Sequence, residues 1–231
     1  MKTLIGISGW HGGQAQINAQ RATWGRDVEG TDLVFFKGRP HPFILGGPQP
    51  DEVWLDCPDT YPERKLKIIA MMRWALEHDY DYLWNVGDDV YLRPERLLAL
   101  LPYDYCGAVT SIPSAPSTNF FAAFSQLTQR APSACIGWAY GLSKRSMVVL
   151  LESEERGYSN HEDIWVGQKL FDNRVTPVHL DGLIKKTHTH GVPNGWHNQM
   201  APRGDNRVIL SCEYTPEQMF QVDKEFKECR R

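Results

Sequence analysis

A chain of 231 residues that is 42% hydrophobic is long enough for one sizeable domain with its own core, and its composition marks neither a disordered nor a fibrous protein. Lys and Arg number 25 against 28 Asp and Glu, and a formal charge of −3 excludes the global basicity of a nucleic-acid binder, leaving room for a local basic groove. The cysteines, Cys57, Cys106, Cys135, Cys212 and Cys229, are odd in number and lack CxxC spacing, which argues against a disulfide framework or a cysteine zinc knuckle and for a reducing compartment.

Thr3 to Ser8 reads as a buried first strand, followed by the glycine-rich turn Gly9-Trp10-His11-Gly12-Gly13 and a short helix carrying Gln20-Arg21-Ala22-Thr23-Trp24. Asp32 to Lys37 reads as a second strand, ending in a Pro/Gly loop from Gly38 to Pro50, and Glu52 to Leu55 as a third. The recurrence of Leu66, Ile69, Met72 and Leu76 predicts an amphipathic helix with those residues on its buried face. A fourth strand, Tyr82 to Val86, delivers Asp88 and Asp89.

Strand and helix alternating in this way indicate an α/β fold with a mostly parallel sheet, in which ligands bind beyond the carboxyl ends of the strands. Pro94-Glu95 suits a first helical turn, Tyr105 to Val109 a fifth strand, and Ser111 to Ser133 a lid or binding loop. Gly137 to Ser143 reads as a strand entering a helix capped by Ser143, and His161-Glu162-Asp163 opens a helix through Leu170. Thr215-Pro216-Glu217-Gln218 has the form of a capping box with proline at the first helical position. No run approaches the about 20 apolar residues of a membrane span, and the chain's first residues contain no signal-peptide core.

Asn85-Val86-Gly87-Asp88-Asp89-Val90 carries the chemistry. Two adjacent carboxylates, partly desolvated, repel until one holds a proton or a cation joins them. A solvated turn or helix cap shows the same residues, but Gly87 lets backbone approach a ligand closely, and a metal-bound carboxylate at a sheet edge suits a diphosphate substrate.

Gln20-Arg21-Ala22-Thr23-Trp24-Gly25, Asp59-Thr60-Tyr61 with Leu66-Lys67, Gly87-Asp88-Asp89-Val90-Tyr91-Leu92, Gly137 to Ser143 and Glu162-Asp163-Ile164-Trp165-Val166-Gly167 follow one another in order. The series resembles the β-1,3-galactosyltransferase and Fringe-like family of inverting glycosyltransferases. The resemblance implies a single GT-A (Rossmann-like) domain, its donor half over about 1–110 and its acceptor and base half over about 111–231, with a nucleotide-sugar donor, usually a UDP-sugar, and Mn²⁺. It makes Asp89 the metal ligand, with Asp88 supporting the metal or the donor sugar, and it places Arg21, Thr23, Trp24 and Lys67 near the donor. Gly87 departs from the family's first aspartate, at a position expected to help hold the ribose.

Inversion needs a base on the acceptor side. The resemblance assigns that role to Asp163, whereas the residues alone also fit Glu162 and Asp163 as acids favouring a helix N-terminus. Lys185-Lys186-Thr187-His188-Thr189-His190 matches the family's His-Ser-His segment, making His190 the better metal-ligand candidate and His188 the second. A zinc site from His179, His188, His190, His197 and Cys212 is the competing reading, without the spacing of a strong zinc motif. Trp138, Phe120 and Phe121 are candidates for contact with a sugar acceptor, beside Glu162.

His78 stands where many secreted members carry cysteine after the helix tryptophan, here Trp74, so a cytoplasmic bacterial or viral enzyme is expected, with the Golgi lumen as the alternative only if a membrane anchor was removed. The acceptor reads as a saccharide or glycan precursor, with a hydroxymethylated base in viral DNA as the alternative. Arg130, Lys144, Arg145, Lys185 and Lys186 could line the basic groove DNA would need. A nucleotidyltransferase or a catalytically silent carbohydrate-binding module would share parts of the same pattern.

Overall fold

The computed structural model describes residues 1–44, 46–100, 103–111, 133–152, 161–180, 210–211 and 214–229. In chain order the elements are β1 (Thr3–Ser8), α1 (Gln14–Ala22), β2 (Asp32–Lys37), β3 (Glu52–Trp54), α2 (Arg64–Glu77), β4 (Tyr82–Gly87), β5 (Tyr91–Leu92), α3 (Pro94–Leu97), β6 (Tyr105–Ser111), β7 (Ser133–Ser143), α4 (Lys144–Glu152), α5 (Glu162–Asp172), β8 (Val178–His179), β9 (Leu210–Ser211) and α6 (Pro216–Cys229).

Seven strands form one sheet in the order β3-β2-β1-β4-β7-β6-β8. β1 pairs in parallel with β2 and β4, β2 with β3, and β6 with β8, while β7 runs antiparallel to both β4 and β6. The sheet is therefore mostly parallel, as expected, with β7 the strand of opposite sense. That reversal positions the site: the register Val86↔Ala139 brings Gly137 and Trp138, early in β7, to the rim where β1 and β4 end.

The period-two alternation of strand side chains divides the core into two layers. Ile5, Ile7, Trp84 and Val86 pack on one face with Ile17 of α1 and Met219 and Val222 of α6. Leu4, Leu83, Tyr105 and Tyr140 pack on the other with Ile68, Met71 and Met72 of α2, Met147 of α4 and Trp165 of α5. This is a single domain with a mixed sheet flanked by helices.

The expected buried face of α2 is corrected. Ile68, Met71, Met72 and Ala75 are buried together with Lys67, whereas Leu66 is 42% exposed and Ile69 and Leu76 sit at the margin. α2 is apolar over more than one stripe, so the sheet beneath it, and not the periodicity, selects which stripe faces inward. Two caps form as expected. Ser143 Oγ accepts from the Ser146 N–H at 3.2 Å, and the Thr215 and Gln218 side chains accept from each other's backbone N–H at 3.3 and 2.8 Å. The expected lid over 111–133 lies almost entirely outside the described residues. Cys57, Cys106 and Cys135 are buried free thiols.

Candidate active site

The turn after β4 is held from below. Gln20, fully buried on α1, donates through Nε2 to the carbonyl oxygens of Gly87 (3.0 Å) and Val90 (2.9 Å), and Trp24 Nε1 donates to Val90 O at 3.2 Å. From the other end of the chain, the Tyr214 N–H donates to Asp89 O at 3.0 Å. The main chain of the acidic turn is thus anchored on α1 and on the segment leading into α6.

Its side chains are strained electrostatically. Asp88 Oδ2 is buried and has no hydrogen-bond partner. Burial, and then the adjacent charge of Asp89, push the Asp88 carboxyl up to about 6, against the opposing pull of Arg64 and Lys67. A Cβ on Gly87 would stand 2.9 Å from Asp89 Oδ1, so the glycine leaves that carboxylate its place at the strand end.

Around this turn, Lys67 and Asp59 tie three loops together. Lys67 Nζ donates to Gly9 O at 2.6 Å and to Asp59 Oδ1 at 2.7 Å. Asp59 also accepts from the backbone N–H of His11 (2.7 Å) and Gly38 (2.8 Å), and these bonds hold its carboxyl below the usual range despite burial. On the same rim the Trp10 indole, 53% exposed, is laid on the backbone of Gly12 and Gly13: built Cβ atoms would meet the ring at 2.2 and 2.7 Å. Gly13 also closes on the acidic turn, its Cβ position lying 2.4 Å from Asp88 Oδ2. Glycines at 12 and 13 thus let an exposed aromatic face stand beside the unpartnered carboxylate oxygen.

The remaining donor-side candidates are engaged with the protein itself. Arg21 forms a fork with Asp51 (2.7 and 2.9 Å), reaches Glu52 at 2.7 Å and lies over the Phe35 ring. Lys37 Nζ reaches the same Glu52 oxygen at 2.9 Å, and against the burial that would raise it the two cations hold the Glu52 carboxyl down at about 2. Thr23 is fully buried with its hydroxyl on Ala19 O at 2.7 Å, and Trp24 is 2% exposed. Thr23 therefore closes the end of α1, and Trp24 acts on the acidic turn only from beneath, through Val90 O.

Asp163 lines a cavity of ≈ 760 Å³ with Tyr61, Arg64, Leu66, Trp138, His161 and Glu162. Asp163 Oδ1 accepts from the Ile164 N–H at 2.8 Å and Oδ2 from the Gly137 N–H at 3.3 Å. Glu162, 6% exposed, accepts from Tyr140 Oη at 3.0 Å and faces Arg64 Nε at 3.5 Å. Burial raises the Glu162 carboxyl, with Arg64 opposing and Asp163 adding to the shift.

The structure brings Asp88, Asp89, Lys67, Trp138, Glu162 and Asp163 to one rim, with Arg64 within electrostatic reach of both acidic pairs. His188, His190, Phe120 and Phe121 lie outside the described residues, as do His197 and Cys212 of the zinc alternative. Among the described residues no three His, Cys, Asp or Glu side chains form a group that could hold a metal. Arg64, Trp10 and Gln20 escape the sequence reading. A weak signal exists for the first: Arg64, Lys65 and Lys67 fall in the first turn of α2, where the helix dipole disfavours cations, and Glu162 and Asp59 from other elements face Arg64 and Lys67.

A family model described as Galactosyltransferase matches residues 48–181. Among solved structures, similarity extends to a protein described as a nucleotide-diphospho-sugar transferase from Desulfovibrio desulfuricans G20, at 13% identity over 78% of this chain and 80% of that one, with a TM-score of 0.47. A CMP:2-keto-3-deoxy-manno-octonic acid synthetase complexed with CTP is similar at 11% identity over 78% of this chain and 90% of that one, TM-score 0.45. The glycosyltransferase GlyE of Streptococcus pneumoniae TIGR4 is similar at 10% identity over 77% of this chain and 45% of that one, TM-score 0.42. No curated protein matches the chain in sequence.

Proposed function

The chain belongs to the galactosyltransferase family and is a glycosyltransferase, and from that premise we propose that it moves a sugar from a UDP-sugar to the hydroxyl of a saccharide acceptor, with inversion and with the aid of a divalent cation. The observation that carries the reading is Asp88, whose buried Oδ2 has no partner and whose carboxyl is pushed up to about 6 beside Asp89. Arg64 and Lys67 offset only part of the cost of this charge at the end of β4, and a hard divalent cation such as Mn²⁺ suits the oxygen donors there.

Asp88 and Asp89 would hold the cation, with His190 or His188 completing its ligands. When bound, it supplies Lewis-acid stabilisation of the diphosphate. Asp163 accepts the proton of the incoming acceptor hydroxyl, whose oxygen attacks the anomeric carbon opposite the departing UDP. The N–H groups of Gly137 and Ile164 orient that carboxylate. Lys67 keeps the rim loops closed around the donor. Trp138, in the lining of the cavity beside Asp163, would contact the acceptor, whereas Glu162 is buried against Tyr140 and Arg64 and would act on it only through Asp163; the proposed contacts of Phe120 and Phe121 lie outside the described residues.

The cavity beside Asp163 sets Glu63, Glu162 and Asp163 against Arg64 and Lys65. That balance favours a neutral saccharide over a DNA acceptor, whose phosphates need surplus cations. Among the described residues no helix is long and apolar enough to cross a membrane, and buried free thiols at Cys57, Cys106 and Cys135 suit a reducing cytoplasm.

The test is a panel of nucleotide sugars with Mn²⁺, scoring UDP release and thermal stabilisation, since a ligand bound to the native state raises its apparent stability. UDP release that requires an acceptor, and its loss in Asp163→Asn with donor binding retained, is the expected result. No response to any donor, or pyrophosphate release from a nucleoside triphosphate, overturns it.

A further inference from the structure

The Gly137 peptide is gripped at both ends. Its N–H donates to Asp163 Oδ2 at 3.3 Å, and its carbonyl oxygen accepts from Arg64 Nη2 at 2.6 Å. Arg64 Nε, buried and without a hydrogen-bond partner, stands 3.5 Å from Glu162 Oε2. A Cβ at position 137 would lie 3.0 Å from that same oxygen, so glycine is what allows guanidinium, carboxylate and peptide to close on one another. Arg64 thus meets the residue before Asp163 and the carbonyl of the same glycine whose N–H orients Asp163, and neither partner belongs to α2.

We propose that Arg64 is a positioning residue for Asp163, acting through the Gly137 peptide and the Glu162 carboxylate. The inference rests on the reading of Asp163 as base given above. Glu162 is 6% exposed, and a carboxylate so placed needs a cation beside it. Besides Arg64, the charged and titratable groups around the Glu162–Asp163 pair are His161 at the start of α5, Tyr140 from β7, Glu63 and Lys65 flanking Arg64, and Asp89 across the rim. Lys65, in the lining of the same cavity, has its Nζ 5.2 Å from the Trp165 ring centroid. Arg64 joins the two sides of the pair, with a hydrogen bond to Gly137 and an ion pair to Glu162.

Loss of the guanidinium frees the Gly137 carbonyl and leaves Glu162 facing Asp163 without its neighbouring cation. Asp163 then loses the fixed N–H that aims it, and a misplacement of about 1 Å at a reacting group costs about 100-fold in rate. The guanidinium's charge also reaches Asp88 and Asp89 at the ends of β1 and β4, but its contacts with Gly137 and Glu162 lie on the Asp163 side, so the loss falls on kcat more than on donor KM.

The experiment compares wild type, Arg64→Met and Arg64→Lys by steady-state kinetics with saturating Mn²⁺, and by thermal stabilisation with UDP to register folding and donor binding. Arg64→Met is expected to lose about 100-fold in kcat with donor KM within about twofold. Arg64→Lys keeps the charge but not the fork, so it recovers part of the loss. It also serves as the test should Arg64→Met not fold, with a kcat loss of about tenfold expected from the missing second donor. A kcat within twofold of wild type in either folded variant, or a loss confined to donor KM, overturns the inference. A wild-type protein that transfers no sugar overturns instead the reading on which it rests.

Discussion

The side-chain amide of Gln20 donates to the carbonyl oxygen of Gly87 at 3.0 Å, so that a fully buried residue of α1 supports the peptide from which Asp88 and Asp89 project. The same amide reaches Val90 O at 2.9 Å, spanning the acidic turn from its first residue to the one after it. The geometry of the carboxylates is therefore set by a residue that never reaches the rim.

Gln20→Leu removes both bonds while keeping the side chain's approximate size. Leaving a buried carbonyl without its donor costs about 1–3 kcal/mol, to be read as a lower urea midpoint at unchanged slope. Mn²⁺-dependent stabilisation by UDP should weaken further than the fold does. A variant that loses stability but keeps full Mn²⁺ response would show that the turn holds its shape without Gln20.

Asp88→Asn separates stability from activity. With the carboxyl pushed up to about 6, an ionised Asp88 at pH 8 weighs against the metal-free fold by on the order of 3 kcal/mol. The asparagine variant, melted at pH 8 with a chelator present, should be more stable than wild type yet inactive in transfer. A lower melting temperature than wild type would mean that Asp88 is satisfied without a ligand.

Glu52 gives the acid limb a specific contribution. Its carboxyl is held at about 2 by Arg21 and Lys37, against an ordinary value of 4.5. The stabilisation is complete above pH 4.5 and is lost as the pH falls toward 2. Glu52→Gln leaves two largely buried cations without their shared partner and should cost about 3–5 kcal/mol at pH 7. Urea denaturation from pH 7 down to 3 should show a flatter decline in the variant than in wild type; parallel declines would remove Glu52 from the account.

Trp10 presents an indole face beside Asp88, pre-set by the two glycines beneath it. Stacking of a nucleobase on such a face contributes about 1–3 kcal/mol. Trp10→Ala should raise the donor KM about tenfold with little change in kcat, and UDP should quench a fluorescence component that the variant lacks. An unchanged donor KM would remove Trp10 from the donor site.

Several parts of this architecture are legible in residue order because they depend on near neighbours. The unbroken apolar run of β1, the Thr215–Gln218 capping box and the Ser143 cap are local signals, and each forms where the sequence predicts it. The Asp88–Asp89 pair is legible for the same reason: adjacency alone puts two charges in conflict, and that conflict adds to the larger effect of burial in raising the Asp88 carboxyl. The buried stripe of α2 is not legible, because a helix apolar on several sides takes its orientation from the surface it meets. Nor are the bonds that occupy Arg21 and Thr23, which share a motif with Trp24 yet face different partners.

The sequence by itself determined an α/β chain with a carboxylate pair at a strand end and a second acidic pair opening a late helix. The tertiary structure alone decided that these two pairs share a rim, because β7 runs against β4 and returns Gly137 and Trp138 to the end where Asp88 lies. It alone decided that Arg64, unremarkable as one of three basic residues in a helical turn, stands between them. Periodicity and adjacency are properties of neighbours along the chain, whereas desolvation and Coulomb interaction depend on distance through space, and the folded sheet is what sets those distances.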